Sequence, residues 1–210
     1  NSALSGEASI DTIDENGHGT ALAAVAAGSS IDEGITFLGA APNTDIVMIK
    51  LKGAKQYLRE YYLIPDNVPA YEEGDIMNAV SYCNRLAGLY RRPIVICIGL
   101  GTSYGNHTGD LPLPTYLDKI ASFRNRSVVV CTGNEGNAAH HYLGTITRQE
   151  GQTGDVFTDV EVSVGQNEKG FILELWGNLP SVYWISLRSP SGEVRQGFRP
   201  GLGQSQTYRF

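Results

Sequence analysis

Three short apolar runs constrain what this chain can fold into. Ile46-Val47-Met48-Ile49, Ile94-Val95-Ile96-Cys97-Ile98 and Val128-Val129-Val130-Cys131 carry no polar alternation. A strand with one wet face alternates, whereas a strand covered on both faces reads as a continuous apolar run. Helical patterns separate them. Asp75 can cap a helix in which Ile76, Ala79, Val80, Cys83, Leu86, Ala87 and Tyr90 recur along one face until Pro93 ends it. From Pro114, Leu117, Ile120 and Phe123 repeat at helical spacing, and an Ala-rich run from His18 to Gly28 carries Leu22, Val25 and Ala26. Strands alternating with helices predict an α/β fold, a parallel sheet with helices on both faces in three layers.

The pattern changes near Gly151. Val156, Val160, Val162 and Val164 fall on even positions, Phe171 to Trp176 and Val182 to Leu187 read as strands, and Ser189-Pro190-Ser191-Gly192 reads as a turn. Two regions are therefore expected, 1–150 as an α/β domain and 151–210 as an antiparallel β segment. The last residues read as another strand, so this segment is expected to keep an open edge through which it could associate.

The 210 residues suffice for one full domain, and a hydrophobic fraction of 41% supports a sizeable core. Sixteen basic against 22 acidic side chains leave a net charge of −6, with the basic residues scattered. That argues against nucleic acid or an anionic membrane as partner, since both need clustered Lys and Arg. No run approaches the roughly 18 apolar residues of a membrane span. The start shows no secretory signal and reads as an excised piece. Cys83, Cys97 and Cys131 lack metal-type spacing, and Cys97 and Cys131 read as small core residues rather than a disulfide framework. No cofactor is expected: no cluster has metal spacing, and the turns at Gly99 and Gly133 lack the spacing of a nucleotide-binding loop.

Two motifs can carry chemistry. In Gly17-His18-Gly19-Thr20, the histidine opens a helix, where unpaired N–H groups and the helix dipole disfavour imidazolium and suit a general base. A turn or capping histidine would look the same. In Thr132-Gly133-Asn134-Glu135-Gly136, Asn134 follows a buried strand, where ligands of open α/β sheets gather, and its amide can donate to a developing oxyanion. A plain turn would look the same here also.

Together with Gly39-Ala40-Ala41-Pro42-Asn43 before Ile49-Lys50-Leu51, these motifs resemble the subtilisin-like serine peptidases (subtilases), in that family's order along the chain. Lys50-Leu51-Lys52, Tyr57-Leu58-Arg59-Glu60, Asp75-Ile76-Met77 and Asn134-Glu135-Gly136-Asn137 with His140-His141 resemble its Csp-type branch, the germination-associated subtilases of spore-forming anaerobes. The resemblance covers residues 10–145. It implies a partial subtilisin-like core followed by the first strands of an inserted jelly-roll-like domain. It also implies hydrolysis of peptide bonds through an acyl-enzyme, a peptide or protein as substrate, and a bacterial secreted or spore-associated setting. His18 would be the general base and Asn134 the oxyanion donor, a role whose removal costs about 2.7–4 kcal/mol of barrier in a subtilisin. Leu100-Gly101, with Gly99 where relatives carry Ser, would be the edge on which substrate pairs as a strand. Thr132-Gly133 would wall the pocket before the scissile bond.

The triad is not complete. The family order is Asp, His, Ser, and its Asp precedes the His by a few tens of residues. Asp11 and Asp14 lie in the loop just before His18 and read as loop or turn acids. Gly101-Thr102-Ser103 copies the start of the nucleophile motif but precedes Asn134, so Ser103 reads as a polar loop residue. His107 reads as solvated, and the adjacent His140 and His141 as surface residues unsuited to chelation. Tyr57, Tyr61 and Tyr62 read as packing or a loop cover. The expectation is a fragment of a serine endopeptidase that is inert alone. The alternative is a catalytically inactive, pseudoprotease-like module that binds a protein partner through the same cleft.

Overall fold

The computed structural model describes residues 13–29, 34, 37–199 and 201–209. The chain divides into two compact units, Asn1–Ile172 and Leu173–Phe210. In the first, helices α1 (His18–Ala27), α2 (Gln56–Tyr61) and α3 (Glu73–Leu89) precede strand β1 (Ile94–Ile98), and helix α4 (Pro112–Ala121) connects it to β2 (Arg126–Val130). The second holds β3 (Ile185–Arg188) and β4 (Val194–Phe198). The protein is thus a mixed α/β chain with a small parallel sheet and a small antiparallel one.

β1 and β2 pair in parallel, from Ile94 opposite Arg126 to Ile98 opposite Val130. Because side chains alternate across a strand, Ile94, Ile96 and Ile98 share one face. There Val80 and Cys83 of α3, Ile96 of β1 and Ile120 of α4 form the buried cluster, with Ile49, Tyr116, Leu117 and Val128 packed around it. Burial raises the Cys83 thiol above its ordinary pKa. The other face is open among the described residues: Val95 is 67% exposed and Val129 50%.

That open face corrects the reading of two cysteines. Cys97 and Cys131 are exposed, not core; Cys97 lies on the face that α3 and α4 do not cover. Other expectations shift as well. α3 starts at Glu73 after the N-cap Glu72, which leaves Asp75 in the first turn, where its charge favours the helix N-terminus. α4 ends at Ala121, short of Phe123. No strand forms over 46–49: Ile49 packs on the core, but Ile46 and Met48 are 53% and 57% exposed. Among the described residues, no neighbouring strand accepts or donates along this run, and a strand needs that ladder.

The β-rich tail differs in the same way. Among its described residues β3 and β4 form, as an antiparallel pair with an irregularity between Ile185 and Leu187. Their hairpin is closed by Ser189 N–H to Glu193 O at 2.9 Å and Gly192 N–H to Ser189 O at 3.0 Å. Residues 156–164 and 171–176 form no ladder among the described residues. Alternation prepares a strand, but a partner must satisfy its backbone.

Both ends of α1 are satisfied by residues outside it. Asp14 accepts from Asn16 N–H (3.0 Å) and Gly17 N–H (2.8 Å) on Oδ1, and from Thr20 N–H (3.1 Å) and the Thr20 hydroxyl (2.6 Å) on Oδ2. It thereby takes up first-turn donors that a helix cannot satisfy itself. These bonds, led by the Thr20 hydroxyl, hold its carboxyl far below the ordinary aspartate range. At the other end, Gly39 N–H donates to Gly28 O (2.8 Å), Ala40 N–H to Val25 O (3.0 Å) and Ala41 N–H to Ala26 O (2.8 Å). Gly39 is buried so tightly there that a Cβ would lie 2.5 Å from Gly28 N and 2.8 Å from Ala24 O.

Two outcomes follow. Ile120→Ala removes a side chain that is only 4% exposed and should cost about 2–5 kcal/mol, read as a lowered urea midpoint. Asp14 has a depressed folded pKa, so its cap is fully present above the ordinary aspartate value of 3.8 and is withdrawn as pH falls below it. Protection of the Thr20 amide against hydrogen exchange, corrected for intrinsic rate, should hold from pH 7 to 5 and fall in stronger acid. In Asp14→Asn it should be low throughout, without that fall.

Candidate functional site

Parallel strands leave a sheet at the same end. With Ile98 opposite Val130, the segments after β1 and β2 emerge side by side, and Cys131 N–H still donates to Ile98 O at 3.2 Å. One expected strip, Gly99-Leu100-Gly101, follows β1, and the other, Thr132-Gly133-Asn134, follows β2. They are neighbours: a Cβ on Gly101 would lie 3.8 Å from Cys131 Sγ. This is the carboxyl end of the sheet, where open α/β folds bind ligands.

α1 brings its first residue to the same place. His18 Nε2 donates to Gly99 O at 2.9 Å, since a carbonyl can only accept. A side chain at 99 would destroy that approach. Its Cβ would meet Leu22 Cδ1 at 2.2 Å and His18 Nε2 at 3.2 Å. Glycine at 99 thus makes room for the ring and for Leu22 together.

The backbone of Leu100 and Gly101 carries no hydrogen bond among the described residues. Its N–H and C=O groups are available to an added extended peptide. Thr132, Gly133 and Asn134 are exposed, Gly133 has φ +83°, and the Asn134 amide has no partner among the described residues. The structure therefore joins His18 to Gly99 and sets the 99–101 strip beside Cys131. Among the described contacts, none joins Asn134 to His18.

Asp14 is committed to the α1 cap, and no described contact brings its carboxylate to His18. Asp11 lies outside the described residues. Near Ser103 an imidazole is present, but His107 Nε2 donates to the Ser103 carbonyl at 3.1 Å rather than taking the hydroxyl proton. Among the described residues, no base is directed at Ser103 Oγ.

Several features were not foreseen from the sequence. His107, exposed as expected, also stacks on His141 with ring centroids 4.1 Å apart and planes 13° apart. His140 turns the other way, to Glu135 Oε2 at 3.1 Å. Tyr62 meets Tyr61 edge-on at 4.9 Å and Tyr104 at 6.3 Å, so the tyrosines of the 57–62 stretch reach the loop that follows Gly101. No local pattern announces contacts between loops so far apart in the chain. Among the described residues, no three His, Cys, Asp or Glu side chains converge as metal ligands, and no helix is long and apolar enough to cross a membrane.

No family model and no curated protein sequence matches this chain. Among solved structures, it is similar to the CspB protease of Clostridium perfringens, with a TM-score of 0.71 and 25% identity, covering 91% of this chain. The chain spans 37% of that protein's length. The similarity extends over nearly all of these residues, and the protein on the other side of it is a protease.

Proposed function

We propose that these residues form the histidine-bearing part of a subtilisin-like serine peptidase, built on a partial three-layer core. The observation that carries this reading is His18 seated on Gly99 at the carboxyl end of the parallel sheet, beside the strip that ends in Asn134. In the proposed reaction a peptide adds as a strand along Gly99, Leu100 and Gly101, with Thr132 and Gly133 walling the pocket of the residue before the scissile bond. His18 takes the proton of a serine hydroxyl supplied from beyond Asn134, and that oxygen attacks the peptide carbonyl. The charge that develops on the carbonyl oxygen is met by the Asn134 amide. His18 returns the proton to the leaving amine, and water then hydrolyses the acyl-enzyme.

The β-rich stretch from about residue 151 is read as the start of an inserted jelly-roll-like domain, whose open edge could pair with a further strand.

One observation favours a second reading, a cleft that binds a peptide or protein partner without cutting it. His18 Nε2 donates to Gly99 O, whereas a general base must present that nitrogen unprotonated to the nucleophile. For catalysis the ring must leave the carbonyl; a binding module has no such requirement.

The two readings separate in a longer chain that carries these residues with an aspartate motif before His18 and a Gly-Thr-Ser nucleophile after Asn134. The peptidase reading expects turnover of a peptide substrate, a loss on the order of 10⁶ in kcat for His18→Ala, and a loss of about 10²–10³ in kcat for Asn134→Ala with little change in KM. Peptide binding with no turnover, and no effect of His18→Ala on affinity, would select the binding module. In the 210-residue chain, a fluorophosphonate probe should leave Ser103 unlabelled; stoichiometric labelling there would overturn both assignments.

A further inference from the structure

We propose that His107 and His141 are positioning residues: their stacked imidazoles latch the loop that carries Asn134 to the loop of the substrate edge, and acidification releases the latch. The consequence for Asn134 rests on the function proposed above, whereas the latch itself stands on geometry. The two loops leave adjacent parallel strands and contain no secondary structure between 99 and 110 or between 131 and 143. The ring pair, with centroids 4.1 Å apart, joins them nine residues past Ile98 and eleven past Val130.

The His107 ring is anchored within its own loop, and the turn that precedes His141 is tied by its own bonds. His107 sits at φ +58° with Nε2 donating to Ser103 O. Its neighbours are tied by Thr108 N–H to Asn106 Oδ1 (3.2 Å) and by the Thr108 hydroxyl to Asp110 Oδ1 (2.6 Å). On the other side, Ala138 N–H donates to Glu135 O at 2.9 Å and His140 Nδ1 meets Glu135 Oε2 at 3.1 Å. These bonds make 135–140 a compact turn between Asn134 and His141. Displacing His141 therefore displaces the turn to which Asn134 is joined.

Histidine is the side chain that exchanges its proton between about pH 5 and 8. Two neutral rings stack, and one charged ring still stacks on a neutral one. Two imidazolium rings at this separation repel. Within the two loops, the charged and imidazole groups that neighbour the pair along the chain are Asp110 on the first and Glu135 and His140 on the second. Asp110 stays ionised throughout that interval, because the Thr108 hydroxyl and then the Asn106 amide lower its carboxyl below the ordinary value. Protonating His140 strengthens its bond to Glu135, but both belong to one loop and do not hold the two loops together.

Hydrogen exchange of the amides between 132 and 143 in the 210-residue chain, corrected for intrinsic rate, tests the latch. Protection should fall on the order of fivefold from pH 8 to pH 5.5. His107→Phe keeps an aromatic face without a charge, so its protection should persist at pH 5.5. His107→Ala should be unprotected at both pH values. His140→Ala should keep the pH dependence of the unaltered chain. Protection that is flat with pH in the unaltered chain, a pH response retained in His107→Phe, or one abolished in His140→Ala would each overturn the proposal. None of these readouts uses peptidase activity, so a longer chain that fails to cleave peptides would refute the proposed function and leave the latch standing.

Discussion

Cys131 donates its backbone N–H to the Ile98 carbonyl one step past the last paired residues of the parallel sheet, and the whole candidate site depends on that register. It brings the exits of β1 and β2 out side by side, so that one strip of bare backbone and one asparagine-bearing loop share an edge. A slip of one residue would turn every side chain of one strand to the opposite face. The core would then lose Ile96, and Gly99 would no longer present its carbonyl to His18. The helices on the covered face act against that slip, since Val80, Cys83 and Ile120 interlock with Ile96 in a single cluster.

The sheet explains why a histidine so far away in the chain arrives at Gly99. α1 carries no buried residue and cannot be held by its own apolar face. It is held instead at its ends, by a carboxylate at the first turn and by three backbone amides after the last. Glycine recurs at the points of contact for steric reasons: at 39 backbone meets backbone, and at 99 backbone meets an imidazole and a leucine methyl. The motifs around His18 and Gly39 are thus two halves of one mechanical arrangement.

Much of this was legible in the residues. Ile94–Ile98 and the valines after Ser127 announced parallel strands through their unbroken apolar character, and Val80, Cys83, Ala87 and Ile120 fell on the predicted inward helical faces. Three things were not legible. Ile46–Ile49 has the composition of a strand, but ladder pairing is a property of two segments and cannot be read from one. The same holds for the valines between 156 and 164. Cys97 and Cys131 lie in apolar runs yet are exposed, because composition does not say which face of a strand a neighbour covers. At the site, Asp14 read as a loop acid, since nothing in Asp-Glu-Asn-Gly-His shows that its carboxylate reaches forward to Thr20. The His107–His141 stack left no local trace, because it joins two loops with no shared periodicity.

The docking of residues 39–41 on the end of α1 has a consequence for precision. A ten-residue helix is about 15 Å long, with the ring at one end and the glycine seat at the other. The helix is a lever arm whose fulcrum is Gly39. A tilt of about 4° at that seat carries the imidazole roughly 1 Å, a displacement that can cost on the order of a hundredfold in rate when a reacting group is misplaced. A residue that touches no substrate thereby sets the aim of one that would, and a single methyl group at position 39 would be enough to spoil it.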